Sequence, residues 1–411
     1  MSAAREALIK SRMRDRGDLG RGQEGEDARA GHMRYRRPRF LARLALSGVL
    51  ALLTYPALAD PALGLPPSPI SRGDTQATVE LGRKIFMDRR LSRNGTMSCG
   101  MCHIPEQGFT ANEMATAIGI EGRSLRRNAP TILNVVWQRW LFHDGRETSL
   151  ERQVWSPLLA SDEMGNASRE AVVERVNALP DYAAPFQRAF PGHGVTEDTI
   201  ASALASYERA LTSTDSRFDR WFFAGDGTTL NASERAGFDL FRGKAGCVAC
   251  HSADFQHAPF TDQSFHNTGV GWLRAKAGDR LLSVPLGAGE TAEVSSAEMA
   301  AVFGVNVRDE GRFEVTGRAQ DRWAYKTPSL RNVALTAPYM HDGSIAALRQ
   351  VIEFYDRGGI ANPGRDPLLR PLGLNDEEKQ ALESFLRTLT GANAAQLAAE
   401  ARAAFHAVGA R

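Results

Sequence analysis

Two short stretches of the same pattern decide the fold: CGMCH at residues 99–103 and CVACH at residues 247–251. Each places two cysteines three positions apart, with a histidine directly after the second cysteine. This is the pattern to which c-type haem is attached, because two thiols one turn apart can add to the two vinyl groups of one porphyrin. The following histidine is then placed to bind the iron. The predicted attachment points and proximal iron ligands are Cys99, Cys102, His103, Cys247, Cys250 and His251.

The two motifs use all four cysteines of the chain. Four cysteines in an exported protein would by default indicate two disulfides, and a single C-x-x-C pair is also compatible with a zinc or redox site. Two copies of the pattern, each followed by histidine, favour haem attachment over these alternatives. We therefore predict two covalently bound c-type haems as cofactors.

An internal repeat extends beyond the haem motifs. PTILNV begins at Pro130 and is followed 13 residues later by His143, and PSLRNV begins at Pro328 and is followed at the same distance by His341. Both histidines open the sequence HDG. Equal spacing in two copies predicts two haem domains related by internal duplication. The second copy carries about 50 additional residues between its haem histidine and its proline.

Helical periodicity dominates the rest of the chain, whereas strand-like alternation is scarce. The predicted helices cover residues 76–87, 168–178, 196–212, 231–242, 345–356 and 375–390. The expected fold class is mainly α, with two tandem cytochrome c-like haem domains. The predicted segments are an N-terminal extension with a signal peptide (1–59), an N-terminal haem domain (60–225), a C-terminal haem domain (226–392) and a C-terminal tail, expected to be helical (393–411).

The first 59 residues predict an export signal. Basic residues at 34–39 precede a short apolar run at 44–53, and residues 57–59 offer an A-x-A cleavage site. The apolar run is about half of the roughly 20 residues that span a bilayer, which favours a cleaved leader over a retained anchor. We expect cleavage after Ala59, a periplasmic mature protein, and membrane contact only through the leader.

The charge of the chain disfavours one class of partner. Fifty basic and 48 acidic residues give a net charge of +2, which leaves no basic excess to neutralise a phosphate backbone. Without residues 1–59, the chain has 38 basic and 42 acidic residues and a net charge of −4. We expect no nucleic-acid binding, and a tendency to favour a basic protein partner.

The repeat also compares the positions from which a second iron ligand could come. Ten and fourteen residues after the HDG histidine, the second copy has Val351 and Tyr355, whereas the first copy has Gln153 and Pro157. Proline has no ligating atom, so the first iron would be five-coordinate and open to a small molecule. From the residues alone, Tyr355 is either a ligand of the second iron or a core aromatic residue on an amphipathic helix.

With these residues assembled, the chain resembles the bacterial di-haem cytochrome c peroxidase family and, within it, the MauG-like branch. The resemblance extends from about residue 79 to residue 390. It rests on both haem motifs and on the segments RNAPT (127–131), DGR (144–146), EMG (163–165) and LTAPYMHDG (335–343). It implies an enzyme that uses hydrogen peroxide at the N-terminal haem and exchanges electrons with a protein partner through the C-terminal haem.

The resemblance also implies roles for single residues. Tyr355 matches the distal ligand of the C-terminal haem, which is methionine in ordinary peroxidases and tyrosine in MauG. Gln153 and Glu163 match the pair that handles peroxide, since a carboxylate can move a proton between the two peroxide oxygens. The alternative for Glu163 is a surface glutamate. The residues that match a calcium site between the domains are Asn128, Thr336 and Pro338, a set that can offer oxygen ligands.

Three departures from the family pattern affect this interpretation. Residues 118–122 contain no histidine that could block the N-terminal iron, so we expect that haem to be high-spin without prior reduction. His143 stands where relatives have a tryptophan between the haems, and it is either a proton donor or a hydrogen-bonded core histidine. Ala245 replaces a tryptophan through which MauG oxidises its protein substrate, which disfavours maturation of methylamine dehydrogenase. Other candidates for an electron path are Trp137, Trp140 and Trp155.

The sequence thus predicts a periplasmic di-haem peroxidase. It would reduce hydrogen peroxide at the N-terminal haem and take electrons through the C-terminal haem from a protein donor. That donor would be a cytochrome, a cupredoxin, or a partner protein whose side chains are modified. The alternative is a non-catalytic di-haem electron-transfer cytochrome with two six-coordinate irons, and Pro157 counts against it. The histidines expected to be surface or structural residues are His193, His257, His266 and His406.

Overall fold

Five of the six predicted helices begin at a residue whose side chain caps the first turn. Thr75 accepts a hydrogen bond from the N–H of Thr78, and Asn231 accepts one from the N–H of Glu234. Such side chains satisfy N–H groups that have no partner within the first helical turn. Capping residues and apolar periodicity together explain why the predicted helices form.

In this computed structural model, the described residues are 62–69, 73–277, 281–287, 290–295 and 309–409. The predicted leader and its cleavage site at Ala59 lie outside them. The helices of the N-terminal half are α1 (Gln76–Met87), α2 (Cys99–Cys102), α3 (Leu150–Gln153), α4 (Trp155–Leu159), α5 (Arg169–Asn177), α6 (Ala183–Ala189) and α7 (Glu197–Ala210). Those of the C-terminal half are α8 (Arg217–Phe222), α9 (Ala232–Arg242), α10 (Val270–Ala277), α11 (Phe313–Thr316), α12 (Leu348–Asp356), α13 (Asp376–Arg387) and α14 (Ala394–Gly409).

Every helix predicted from periodicity is confirmed, and the mainly α fold class is confirmed with them. Two boundaries differ by three residues, and one of them is the end of the window 375–390, where α13 stops at Arg387. The window 345–356 contains α12, which begins only at Leu348, because Ile345 pairs with Tyr339 in an isolated β-bridge and is therefore extended. Strands are short: β1 (Phe265–His266) pairs with β4 (Tyr325–Lys326), and β2 (Leu281–Gly287) pairs with β3 (Glu290–Ser295), both antiparallel. The second pair lies in the additional residues of the second copy.

Two helix pairs cross at a glycine. Helices α1 and α7 approach so closely that a Cβ on Gly82 would lie 1.9 Å from the carbonyl oxygen of Ala203. Helices α9 and α13 make the same kind of crossing, where a Cβ on Gly237 would lie 2.0 Å from the carbonyl oxygen of Ala381. Glycine inside a helix is unfavourable by about 1 kcal/mol relative to alanine, so close approach is the physical reason for it at both positions.

The buried apolar side chains form two main cores. One is built around α1 and α7, and it includes Ala401 of the C-terminal helix α14. The other is built around α9 and α13, and it contains a group of phenylalanine rings that includes Phe218, Phe238 and Phe385. The tail, which was expected to be helical, forms α14, and one side of this helix packs on the N-terminal half.

Segments that correspond in the sequence repeat share local geometry. Asn134 and Asn332 both adopt left-handed backbone conformation, with φ of 60° and 63°, directly before a short 3-10 turn. The residues before the two HDG histidines also have positive φ, 62° at Phe142 and 72° at Met340. Internal duplication stays a prediction, and these correspondences support it. The division of the chain into four segments also stays a prediction. Within the described residues, no helix is both long and apolar enough to cross a membrane.

We expect Gly82→Ala and Gly237→Ala each to lower the free energy of unfolding by about 3 kcal/mol, because overpacking against a backbone oxygen outweighs the better helix propensity of alanine. Urea denaturation of the haem-loaded protein measures the change. Gly227→Ala is the control, because a Cβ there meets nothing within 4 Å. Unchanged stability of both crossing variants would contradict the close approach of the helices.

Candidate functional site

One cavity brings the predicted site residues together. Its volume is about 1590 Å³, whereas a typical pocket for one small ligand measures roughly 300–1,000 Å³. Both haem motifs line it, so it has room for more than one large ligand. The predicted site residues in its lining are Cys99, Cys102, His103, Asn128, Gln153, Glu163, Cys247, Cys250, His251, Thr336, Pro338 and Tyr355.

The two motif histidines are held in the same way. Nδ1 of His103 donates to the carbonyl oxygen of Phe109 at 3.1 Å, and Nδ1 of His251 donates to that of Phe260 at 2.9 Å. A carbonyl oxygen can only accept, so the proton is on Nδ1 and the lone pair is on Nε2. Burial lowers the pKa of both histidines, which favours the neutral form that binds metals. This is the usual support of a metal-binding histidine.

Both supporting carbonyls come from residues in an unusual conformation. Phe109 has φ of 58° and Phe260 has φ of 52°, which is left-handed backbone. For residues other than glycine this conformation costs about 1–2 kcal/mol, and such strain tends to be retained at functional sites. In both halves, the strain points a carbonyl oxygen at the histidine.

The cysteines are placed for attachment to haem. The N–H of His103 donates to the Cys99 carbonyl, and the N–H of His251 donates to the Cys247 carbonyl, both at 2.9 Å. Each motif therefore forms a single tight turn. All four cysteines are free thiols in this structure, so it contains neither of the two disulfides that were the alternative to haem attachment.

The residues expected on the distal side of the N-terminal motif are half-buried and lie in consecutive turns of the chain. Gln153 ends α3, Pro157 lies in α4, and Glu163 follows in the next turn. Oε1 of Gln153 is buried without a hydrogen-bond partner in the described part of the chain. Burial raises the pKa of Glu163 to about 7, with a further contribution from Asp162. Burial raises the pKa of both N-terminal cysteines, and the nearby charge of Glu163 raises it further, which is consistent with a position beside that motif.

The loop without a histidine packs directly on Glu163. The Ile120 N–H donates to the Glu163 carbonyl at 2.9 Å. A Cβ on Gly119 would lie 1.8 Å from the Asp162 carbonyl oxygen. The loop backbone, rather than a side chain, therefore covers the residues around Glu163 and holds them in position.

Tyr355 lies in the C-terminal half of the cavity, on α12. Burial raises the pKa of its phenol, and the neighbouring Cys247 and Cys250 raise it further. Both Tyr355 and Pro157 line the cavity: Tyr355 lies beside the second haem motif, and Pro157 lies on the side of the first haem motif. Whether Tyr355 binds iron stays a prediction.

The residues at the predicted calcium site lie in neighbouring segments. The N–H of Asn128 donates to the His341 carbonyl at 2.8 Å, and its side-chain amide donates to the Ala115 carbonyl at 2.9 Å. Thr336 and Pro338 precede His341 in that same segment. The calcium ion itself stays a prediction.

Two ionisable groups in the interior of the site, the half-buried Lys326 and the buried Glu208, were not identified from the sequence. Lys326 donates to the Gln138 Oε1 at 3.2 Å and the Thr327 carbonyl at 3.3 Å, but within the described residues it has no carboxylate partner. Burial lowers its pKa to about 8. Glu208 lies on α7, and burial raises its pKa to about 8. The burial of Glu208 could have been predicted from the sequence, because Glu208 follows Leu204 by four residues and therefore lies on the apolar face of a predicted helix.

His266, expected to be a surface or structural residue, contacts two carboxylates in the cavity wall. Its Nδ1 lies 2.6 Å from Asp366 and its Nε2 lies 2.8 Å from Asp262. Cys250 completes a group that could hold a metal ion, but it also belongs to a haem motif. The side chains present fit haem: they include two Cys-Cys-His sets, apolar walls, and the half-buried ammonium of Lys326, to which a propionate would supply an anionic partner.

The comparisons with known proteins agree with this geometry. Residues 76–228 match the family model of di-haem cytochrome c peroxidases. The methylamine utilization protein MauG of Methylorubrum extorquens is 37% identical, over 80% of this chain and 82% of that protein. Cytochrome-c peroxidase IdrP1 of Denitromonas iodatirespirans is 36% identical, over 80% and 86%. A crystal structure of a MauG-like protein associated with microbial copper homeostasis matches with a TM-score of 0.66 at 32% identity, over 82% of this chain and 96% of that one.

These relatives span most of the chain, so the resemblance to this family is confirmed. Membership implies two c-type haems and a redox reaction that depends on peroxide. The chain therefore belongs to the di-haem cytochrome c peroxidase and MauG family of oxidoreductases that act with hydrogen peroxide.

Proposed function

We propose that this protein is an exported, periplasmic enzyme that reduces hydrogen peroxide at its N-terminal haem. Electrons reach that site through the C-terminal haem from a protein partner, which is a small redox protein or a protein whose side chains are oxidised. The observation that carries the proposal is the difference between the two distal sides. Glu163, Gln153 and Pro157 line the N-terminal half, whereas Tyr355 lies beside the C-terminal motif.

The residues divide into those that hold haem and those that handle protons. His103 and His251 would bind the irons through Nε2, the four cysteines would attach the porphyrins, and Lys326 would face a propionate. When bound, the N-terminal haem supplies an open iron position at which peroxide is reduced. Tyr355 would occupy the corresponding position of the C-terminal haem and close it to peroxide.

Glu163 acts as the proton-transfer group. Its carboxylate takes a proton from the near oxygen of hydrogen peroxide and returns it to the far oxygen, which leaves as water when the O–O bond breaks. The complete reduction consumes two electrons and two protons and yields two water molecules. A group with a pKa of about 7 is suited to this role, because general acid–base catalysis is most effective when the pKa lies near the working pH. Gln153, whose Oε1 has no partner in the described structure, is placed to orient the peroxide.

We expect Glu163→Gln to lower kcat/KM for peroxide by about a hundredfold, a typical contribution of general acid–base catalysis. The unsubstituted enzyme should gain activity as the pH rises through about 7, because the ionised carboxylate is the base, and the variant should lose this dependence. Steady-state peroxide turnover from pH 5 to 9 tests both. Equal turnover and pH profiles in the two proteins would refute the role of Glu163.

The loop contact predicts a second effect. Gly119→Ala places a methyl group against the Asp162 carbonyl, and neither backbone segment can move without displacing Glu163. We expect peroxide turnover to fall by about tenfold, equivalent to about 1.4 kcal/mol, with two haems still attached. Gly227→Ala is the control, since a Cβ there meets nothing within 4 Å and the backbone at Gly227 is not left-handed. Turnover affected equally in both variants would show that the loop does not position Glu163.

A further inference from the structure

We propose that a series of three rings in contact, Tyr325, His341 and His143, which we call the ring stack, forms the path by which electrons pass between the two haem sites. This inference rests on the proposed function. The Tyr325 and His341 rings are stacked, with centroids 3.6 Å apart and planes 13° from parallel. The His341 and His143 rings follow edge to face, with centroids 6.5 Å apart and planes at 70°. All three side chains line the haem cavity.

The ring stack connects two backbone segments, and each of them has a carbonyl group that faces one of the proximal histidines. At one end, Nε2 of His143 donates to the Asn128 carbonyl at 3.0 Å. Two residues further on, the Pro130 carbonyl faces the His103 ring. The stack therefore begins at the wall of the N-terminal haem site.

At the other end, Tyr325 lies three residues before Pro328, whose carbonyl faces the His251 ring. The Lys326 N–H donates to the His143 carbonyl at 2.7 Å, which ties this segment to the HDG segment of the first half. Electron transfer through protein weakens steeply across gaps between atoms. A continuous series of ring contacts is therefore the favourable route from one half to the other.

The surroundings of the stack favour conduction over oxidation of the rings. The phenol of Tyr325 donates to the Asp309 carbonyl at 3.3 Å, and a carbonyl oxygen is not a base that could take its proton. The guanidinium of Arg127 lies 5.6 Å from the centroid of the Tyr325 ring and would oppose a positive charge there. Burial lowers the pKa of both histidines, which keeps them neutral.

A second observation, besides the ring contacts, indicates that the position of His341 is functional. Its Nε2 is buried and has no hydrogen-bond partner among the residues that the structure describes. An unsatisfied buried polar atom is unfavourable by about 1–3 kcal/mol. The ring is instead held by its stacking on Tyr325, so its orientation serves ring contact rather than hydrogen bonding.

The tryptophans that the sequence offered as electron carriers lie elsewhere. Trp137 donates its Nε1–H to the Pro66 carbonyl, Trp140 packs on Phe265, and Trp155 is buried in the N-terminal core. Among the described residues, none of the three makes a ring contact with the stack.

The electron balance needs no chemical change in the rings. Reduction of one peroxide molecule takes two electrons: the N-terminal haem would supply one, and the C-terminal haem would supply the other through Tyr325, His341 and His143, before the protein donor replaces both. The two protons that peroxide reduction consumes come from water through the N-terminal site. No bond in the stack forms or breaks.

The test uses the haem-loaded protein with Tyr325→Leu, which removes the ring, and Tyr325→Phe, which keeps it. Trp140→Leu is the matched control, because it removes a ring from the same cavity but not from the stack. Each oxidised protein is mixed with one equivalent of hydrogen peroxide, and rapid freeze-quench EPR follows the ferric signal of each haem. Haem content and thermal unfolding confirm that each variant folds.

We expect Tyr325→Leu to delay the loss of the C-terminal haem signal by about tenfold while the N-terminal signal responds at the original rate. Tyr325→Phe and Trp140→Leu should both behave like the unsubstituted protein. A variant Tyr325→Leu with no delay would overturn the proposal, and so would an equal delay in Trp140→Leu. An equal delay in Tyr325→Phe would show that the phenol itself is oxidised, which also contradicts conduction through the stack. If the unsubstituted protein itself does not respond to peroxide, then the proposed function is wrong, and the proposed electron path is wrong as well.

Discussion

The hydrogen bond from each motif histidine to a phenylalanine carbonyl is the constraint on which the rest of the site depends. Nδ1 of His103 and of His251 is occupied by the carbonyls of Phe109 and Phe260. This fixes the tautomer and leaves Nε2 directed to a metal. The left-handed conformation of both phenylalanines is unfavourable in isolation. The surrounding fold holds both in that conformation.

Within this shared frame, the two halves differ where a second iron ligand would lie. In the N-terminal half, the cavity is lined by a half-buried carboxyl group with a raised pKa and by a proline that cannot bind iron. In the C-terminal half, the cavity is lined by the phenol of Tyr355. In the function proposed here, the same proximal support serves an open site that handles protons and a closed site that stores and passes charge. The ring stack formed by Tyr325, His341 and His143 joins the two.

Much of this was predictable, for different physical reasons. The haem motifs could be identified because covalent attachment fixes their spacing, and the amphipathic helices could be identified because burial of one face imposes a period. The family resemblance added Gln153, Glu163 and Tyr355, which the structure places in one cavity. Their chemical roles remain predictions.

Other features could not be predicted, because they depend on contacts between distant segments. The supporting carbonyls lie six residues after His103 but nine after His251, so no common spacing identifies them. Lys326 lies in the two-residue strand β4, which is too short to show a period that would mark its side chain as facing the cavity. The stacking of Tyr325 on His341 arises only when the second copy folds back on itself.

The most direct test of the account is the EPR spectrum of the purified, fully oxidised protein with both haems attached, before any reductant or peroxide is added. The account predicts one high-spin ferric signal from an open N-terminal haem and one low-spin signal from a C-terminal haem with Tyr355 as its second ligand. Two low-spin signals would mean that both irons are closed, and would contradict the account.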